Sequence, residues 1–173
     1  MKKPITTIIF VLFSILSGGC SADCDHMQER PAGQSDVIAL ACDPIPVVRV
    51  GFIGLGMRGI GAVERFMYLD SVEVVALCDL EAENLARSQA VLREKTRPEA
   101  AEYMGPEDWK RLCERPDIDL VYISTDWLSH TPMAVYAMEQ GKHVAVEVPA
   151  AVTVEECWKL VDTAEASALH DAR

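Results

Sequence analysis

The sequence predicts an α/β fold built on a doubly wound, mostly parallel sheet of the Rossmann type. Three observations lead to that class. A β-branched apolar run at 47–53 leads directly into a G-x-G-x-x-G motif, and an amphipathic segment follows it. A second apolar run, 72–78, ends in Asp79, about 20 residues beyond the last glycine. Strand-like and helical segments then alternate, which is typical of a parallel sheet covered by helices on both faces. The glycines of the motif are Gly54, Gly56 and Gly59.

Periodicity and end signals place the elements in order along the chain. Apolar residues recur at helical spacing after the glycines, and 80–95 contains no helix breaker. Pro106 and the pair Thr131-Pro132 mark helix starts, and residues 153–156 form a capping box. We predict strands at 47–53, 72–78, 101–104, 118–124 and 142–148, and helices after Gly59, at 80–95, from Pro106, from Thr131 to 139 or 140, and from Thr153. The last helix is predicted to bury a stripe formed by Val154, Cys157, Leu160, Val161 and Ala164.

The first strand, the glycine motif and the helix together predict a dinucleotide-binding βαβ unit. Gly54 permits the tight turn, Gly56 lets the backbone approach a pyrophosphate, and Gly59 lets the helix pack near the strand. Asp79 stands where a carboxylate accepts the ribose hydroxyls, and it favours NAD over NADP because it repels a 2′-phosphate. The alternative, a glycine turn in an unrelated α/β protein, does not account for the second strand and its terminal acid.

Two further strand ends, 125–130 and 147–149, carry residues suited to a ligand. Ligands of open α/β sheets sit beyond the carboxyl ends of the strands, so we expect both segments near the glycine motif. Trp127 is suited to stack on a flat ring, and His130, one residue before the predicted helix cap, is expected to face the crevice. The structural alternatives are a hydrophobic plug for Trp127 and a solvated loop imidazole for His130.

Composition excludes some functional classes. A net charge of −11 and the lack of a basic stripe argue against a nucleic-acid surface. The six cysteines show no zinc spacing, and no metal site is predicted. Cys78 and Cys157 are predicted to be small core residues, whereas a disulfide between Cys24 and Cys42 is left open.

Residues 1–20 are predicted to be a signal peptide rather than part of the fold. Two lysines precede a short apolar region, which falls below the ~20 residues of a membrane span. The small residues before Cys20 are similar to a bacterial lipobox, in which this cysteine is lipidated and anchors the protein to a membrane. Ordinary signal cleavage is the alternative. We expect an exported protein, periplasmic or a membrane-anchored lipoprotein, with a linker at 21–46 and the nucleotide-binding domain at 47–173.

Several motifs resemble those of a known family. The run Gly-Lys-His-Val-Ala-Val-Glu-Val-Pro at 141–149, together with the glycine motif, resembles the N-terminal half of the Gfo/Idh/MocA oxidoreductase superfamily. In its dehydrogenases a lysine stands where this chain has Val148. With that valine, the combined motifs over 47–168 resemble more narrowly the NAD-dependent glycosidases typified by bacterial α-N-acetylgalactosaminidases, glycoside hydrolase family 109. The other motifs are Glu107-Asp108-Trp109-Lys110 and Thr125-Asp126-Trp127 with His130.

The resemblance implies that NAD takes part in an unusual hydrolysis of a small-molecule glycoside. Bound NAD⁺ oxidises the sugar C3 hydroxyl, the acidified C2 proton is lost, and the aglycone is eliminated. Water then adds and the hydride returns to C3, which regenerates the cofactor. By the same resemblance Met57 and Arg58 hold the phosphates and Asp79 the adenosine ribose. The nicotinamide side is lined by Trp127, Leu128, Ser129, His130, Glu147 and Val148.

The catalytic acid–base groups of the family lie in a second α/β domain that follows this one. We therefore expect this polypeptide to be an N-terminal fragment that binds NAD and does not hydrolyse a glycoside by itself. Two other functions stay open. The first is the N-terminal part of an exported NAD(P)-dependent sugar oxidoreductase, against which Val148 counts. The second is a non-catalytic secreted module, against which the intact glycines and Asp79 count. The sequence does not indicate an oligomeric state.

Overall fold

The computed structural model describes residues 36–38 and 41–171, with side chains up to residue 167. The predicted signal peptide, Cys20 and Cys24 lie outside the described residues, so export, lipidation and the disulfide stay predictions. Within the described part, no helix combines the length and the apolar character needed to span a membrane.

Strands and helices alternate along the described chain, as the periodicity predicts. The strands are β1 (Val48–Ile53), β2 (Val72–Cys78), β3 (Ala101–Tyr103), β4 (Leu120–Ile123) and β5 (His143–Val146). The helices are α1 (Met57–Phe66), α2 (Ala82–Glu94), α3 (Asp108–Cys113), α4 (Trp127–Glu139) and α5 (Val154–Asp171). Each predicted element is present, and β2 has the predicted bounds.

The strands form one parallel sheet in the order β3-β2-β1-β4-β5. This order is that of a Rossmann fold, in which the chain builds outward from β1 and then crosses back to the other side of it. The predicted fold class is confirmed. The strand order reverses between β1 and β4, so the crevice for a ligand opens at the carboxyl ends of these two strands.

Helices cover both faces of the sheet because neighbouring side chains on a strand point to opposite faces. Phe52 packs with α1 and α2, and its ring centroid lies 5.2 Å from the centroids of both Phe66 and Tyr122. The next residue, Ile53, packs on the other face with α3 and α4. The two apolar clusters thus hold α1 and α4 against opposite faces, with their N-termini following neighbouring strands.

Helix α4 begins earlier than the sequence predicts: its first residue is Trp127 rather than Pro132, and its cap is Asp126 rather than Thr131. The Asp126 carboxylate caps it by accepting hydrogen bonds from the N–H groups of the second and third helical residues. This cap satisfies two donors that otherwise have no partner, and Pro132 lies inside the helix. His130 therefore belongs to the helix, and its predicted place in a loop before the helix is wrong.

The predicted buried stripe of α5 is wrong in part. Val154, Cys157 and Val161 are exposed, whereas Leu160 packs against the apolar cluster beneath α4. Among the described elements α5 packs mainly along α4, and one neighbouring helix covers only part of a helix surface. Cys78 is buried as predicted, but Cys157 is not a core residue.

Candidate functional site

The turn from β1 into α1 is shaped by its glycines. Gly54 has a φ of +85°, a left-handed conformation that favours glycine, and a Cβ there would lie 2.5 Å from the Ser124 carbonyl oxygen. A Cβ on Gly59 would overlap the carbonyl oxygen of Gly54. A Cβ on Gly56, in contrast, would meet no protein atom within 4 Å. The fold thus requires two of the glycines, and the open face at Gly56 leaves room for a ligand against the backbone.

The N-terminus of α1 is open to an anion. Its cap residue, Gly56, has no side chain to accept a hydrogen bond, and the first turn contains no acidic residue. The N–H groups of that turn have no acceptor within the helix and form the positive end of its dipole. At α4 the corresponding N–H groups are already bonded to the Asp126 carboxylate. A phosphate group therefore fits the end of α1 and not the end of α4.

Asp79, at the end of β2, closes the other side of this turn. Its Oδ2 accepts the N–H of Leu55 at 2.6 Å. Its Oδ1 accepts the N–H of Glu81 at 2.8 Å and the side-chain amide of Asn84 at 3.1 Å. A carboxylate offers about four acceptor positions, so Oδ2 keeps one for a further donor such as a ribose hydroxyl. Sequence reasoning missed Asn84, which has no signal beyond its place in the first turn of α2.

A cavity of about 530 Å³ opens at the carboxyl ends of β1, β2 and β4. This volume is typical of small-molecule and cofactor sites, about 300–1,000 Å³. The predicted site residues that line it are Gly54, Gly56, Asp79 and Ser129. The cavity wall also includes Trp109 and Met133, which sequence reasoning did not assign to the site, and which supply apolar surface for a flat ring.

Four other predicted site residues are large apolar side chains that do not line the cavity. The exposed fractions are 86% for Met57, 64% for Trp127, 72% for Leu128 and 79% for Val148. All four lie just beyond the carboxyl ends of β1, β4 and β5, and the Arg58 side chain beside Met57 is exposed as well. Exposed apolar groups of this size are common in binding surfaces.

His130 does not face the crevice, contrary to the prediction, because the earlier start of α4 places it inside the helix. The residue is 1% exposed, and its Nδ1 lies 2.8 Å from the carbonyl oxygen of Pro149. Among the described residues, its Nε2 has no hydrogen-bond partner. The structure therefore connects His130 to the segment after β5 rather than to the cavity.

Glu147, the first residue after β5, is held by the sheet. The Tyr122 hydroxyl donates a hydrogen bond to its Oε1 at 2.7 Å. This bond, and after it the positive charge of Arg58, holds the pKa of Glu147 below its usual range. The carboxylate therefore stays ionised at neutral pH and acts only as a hydrogen-bond acceptor.

The chain is similar in sequence to a known family and to several known proteins. The model of the Gfo/Idh/MocA oxidoreductase family, described as an NAD-binding Rossmann fold, matches residues 48–169. The chain is 58% identical over 141 residues to an α-N-acetylgalactosaminidase of Bacteroides fragilis, covering 82% of the chain and 33% of that protein. It is 59% identical over 164 residues to a glycosyl hydrolase family 109 protein of the same species, covering 92% and 35%. The chain thus spans about a third of the length of these relatives.

Solved structures share the fold. A myo-inositol dehydrogenase from Lactobacillus casei, in complex with NAD(H) and myo-inositol, is 31% identical, with a TM-score of 0.58 over 68% of this chain and 33% of its own. A biliverdin reductase from Synechocystis, in complex with biliverdin and NADP⁺, is 28% identical, with a TM-score of 0.59 over 69% and 35%. Since one neighbour holds NAD(H) and the other NADP⁺, the side chains of the site, rather than the fold, decide between the two cofactors.

Proposed function

This chain belongs to the Gfo/Idh/MocA oxidoreductase family with its NAD-binding Rossmann fold, and from that premise we propose that its cavity binds NAD⁺ in preference to NADP⁺. The observation that carries the proposal is the uncapped N-terminus of α1 beside the free acceptor position of Asp79. The backbone at Gly56 and Met57 would hold the pyrophosphate with the Arg58 side chain, and Asp79 would accept a ribose hydroxyl. A 2′-phosphate at the same place would meet the carboxylates of Asp79 and Glu81, which both line the cavity.

Isothermal titration of the purified chain with NAD⁺ and with NADP⁺ tests this proposal. We expect NAD⁺ to bind at least about tenfold more tightly, which corresponds to about 1.4 kcal/mol of repulsion between the 2′-phosphate and the carboxylates. ADP-ribose should compete with NAD⁺ for the site because it carries the pyrophosphate and both riboses. Equal or tighter binding of NADP⁺ would contradict the preference, and binding of neither nucleotide would contradict the site.

The nicotinamide half of the cofactor would lie toward α4 and the segment after β5. When bound, NAD⁺ supplies a reversible hydride acceptor. Trp127 and Leu128 offer exposed apolar surface, and Glu147 offers an ionised carboxylate. The Ser129 hydroxyl at the cavity wall donates its proton to Asp126 at 2.6 Å, so toward a ligand it acts as an acceptor. Val148 has no proton to move, so its side chain contributes shape and apolar contact rather than acid–base chemistry.

For the whole protein we propose the glycosidase reaction: hydrolysis of an N-acetylgalactosaminide by oxidation, elimination, addition and reduction. The relatives at 58% and 59% identity support this proposal, and so does Val148 in place of the lysine of the dehydrogenases. Because the chain spans a third of those relatives, the test needs the rest of the enzyme. A chimaera in which this chain replaces the matching segment of the Bacteroides fragilis α-N-acetylgalactosaminidase provides it.

The chimaera should release the aglycone from a chromogenic α-N-acetylgalactosaminide without net formation of NADH. The same chimaera carrying Gly56→Val is the matched control and should be inactive, since the pyrophosphate would be excluded. Release of the aglycone that persists in the Gly56→Val chimaera would contradict a role for this chain in the reaction. The second candidate, a sugar oxidoreductase, is favoured by the myo-inositol dehydrogenase neighbour and would instead accumulate NADH with every turnover.

We also propose that the protein is exported and anchored through a lipid on Cys20. The two lysines, the short apolar region and the small residues before Cys20 support this proposal. A cofactor that is regenerated in each turnover suits a compartment without a supply of free NAD.

A further inference from the structure

The segment that follows β5, residues 147–150, is tied to α4 by two neighbouring side chains. The Nδ1 of His130 lies 2.8 Å from the carbonyl oxygen of Pro149. A carbonyl oxygen only accepts, so Nδ1 carries the proton and donates it. The hydroxyl of Thr131 donates to the carbonyl oxygen of the next residue, Ala150, at 3.0 Å. Two consecutive helical residues thus hold two consecutive loop carbonyls, and we call this pair of bonds the clamp.

The two donor side chains of the clamp are buried, whereas the surfaces on either side of it are exposed. His130 is 1% exposed and Thr131 is 2% exposed. Val148 immediately precedes the clamped carbonyls, and Trp127 begins the helix that supplies the donors; both side chains are largely exposed. An exposed side chain is not positioned by burial. The hydrogen bonds from the two buried donors therefore fix the backbone that carries Val148.

We propose that His130 and Thr131 are positioning residues: they hold in place the surface against which the nicotinamide half of the cofactor would bind. By holding Pro149 and Ala150, the clamp keeps the Val148 surface at a fixed place relative to the first turn of α4. His130 acts through the loop and does not touch the cofactor. This inference rests on the proposed NAD⁺ site and adds to it residues that act without lining the cavity.

The hydrogen bonding of the His130 ring determines which substitutions would keep the clamp and which would open it. Its Nε2 has no partner among the described residues, so the bond through Nδ1 is the polar contact that a substitution must keep or remove. Asparagine places an amide N–H near the position of Nδ1 and should preserve the clamp. Leucine, of similar size, has no donor and should open it. Thr131→Ser and Thr131→Val form the equivalent pair at the second bond.

Two measurements on the full chain test the inference. Hydrogen exchange should become faster in residues 147–152 of His130→Leu and Thr131→Val, while the glycine turn at 54–59 is unchanged. The Kd of NAD⁺ should rise about tenfold in these variants, as expected for the loss of one net hydrogen bond, whereas the Kd of ADP-ribose should stay within about twofold. His130→Asn and Thr131→Ser should behave as the wild type in both measurements.

Three outcomes would overturn the inference. The first is an unchanged exchange rate in residues 147–152 of the opened variants. The second is an equal loss of NAD⁺ and ADP-ribose affinity, which would indicate a general structural role. The third is a wild-type protein that binds NAD⁺ no more tightly than ADP-ribose. That result would show that no surface of this chain binds the nicotinamide, while the proposed site for the pyrophosphate and ribose would still stand. If His130→Leu does not fold, Thr131→Val removes only a hydroxyl from the same clamp and carries the same expectations.

Discussion

Replacing Gly56 by valine should abolish tight nucleotide binding and leave the fold nearly intact. A Cβ at this position meets no protein atom within 4 Å, and the φ of −63° is one that any L-residue adopts. The expected stability cost comes from capping, because valine is a poorer cap than glycine, and amounts to about 1 kcal/mol or less. For a domain of this size, the melting temperature should fall by about 4 °C or less.

The loss of affinity should be much larger than the loss of stability. The new Cβ extends about 1.5 Å from the backbone into the space that the pyrophosphate would occupy, and two methyl groups lie beyond it. Displacing the phosphates would break charge-assisted hydrogen bonds from the first turn of α1, worth about 1.5–3 kcal/mol each. Two such bonds give at least about 3 kcal/mol, which is more than a hundredfold in Kd.

Titration calorimetry and thermal melting together separate these effects. Gly61 in the same helix is the matched control, since a Cβ there makes an ordinary contact of 3.5 Å with the Arg65 side chain. Gly61→Ala should therefore bind NAD⁺ as the wild type does. Gly59→Ala should show the opposite pattern, a large loss of stability, because its Cβ would overlap the Gly54 carbonyl. NAD⁺ binding by Gly56→Val within about threefold of the wild type would refute the assignment of this turn to the pyrophosphate.

Three further predictions concern the ribose, acid stability and the N-terminus. Asp79→Asn should reduce the ratio of the NADP⁺ to the NAD⁺ dissociation constant at least about threefold, because the charge that repels a 2′-phosphate is gone. An unchanged ratio would argue against Asp79 as the group that discriminates between the two nucleotides. The hydrogen bond from Arg49 lowers the pKa of Asp119 in the folded protein. This pair should therefore stabilise the fold fully above the ordinary Asp pKa of about 4. The stabilisation should be lost as the pH falls through the lowered pKa of the folded state. Urea unfolding across this range should show a weaker pH dependence in Asp119→Asn, and identical curves would contradict the pairing. Cys20→Ser should release the protein from the membrane fraction or block its processing, whereas a wild-type protein that is soluble in the periplasm would contradict lipidation.

The sequence by itself determined the fold class and the nucleotide end of the site. Glycine spacing, apolar periodicity and the acid after the second strand are local properties, and they state where a chain turns, which face it buries and where a strand ends. The bounds of β2 and the places of Gly54, Gly56 and Asp79 follow from such properties. Parallel pairing then brings the strand ends to one edge of the sheet, because alternating strands and helices have few other arrangements.

Only the tertiary structure decided which of the remaining side chains reach the cavity. The cap of Asp126 starts α4 five residues before the position that Thr131-Pro132 suggests, and this shift turns His130 from the crevice into the interior. Burial along α5 also depends on the neighbouring elements. Val154 lies at the helical spacing of the predicted stripe, but among the described elements none packs over it. Asn84 reaches Asp79 because the short turn between β2 and α2 brings the first turn of the helix beside the end of the strand. The Asp126 cap and the Asn84 bond join residues close in sequence, whereas the burial of His130 and the exposure of Val154 depend on which distant segments pack beside them. The periodicity of one segment does not tell what lies against it.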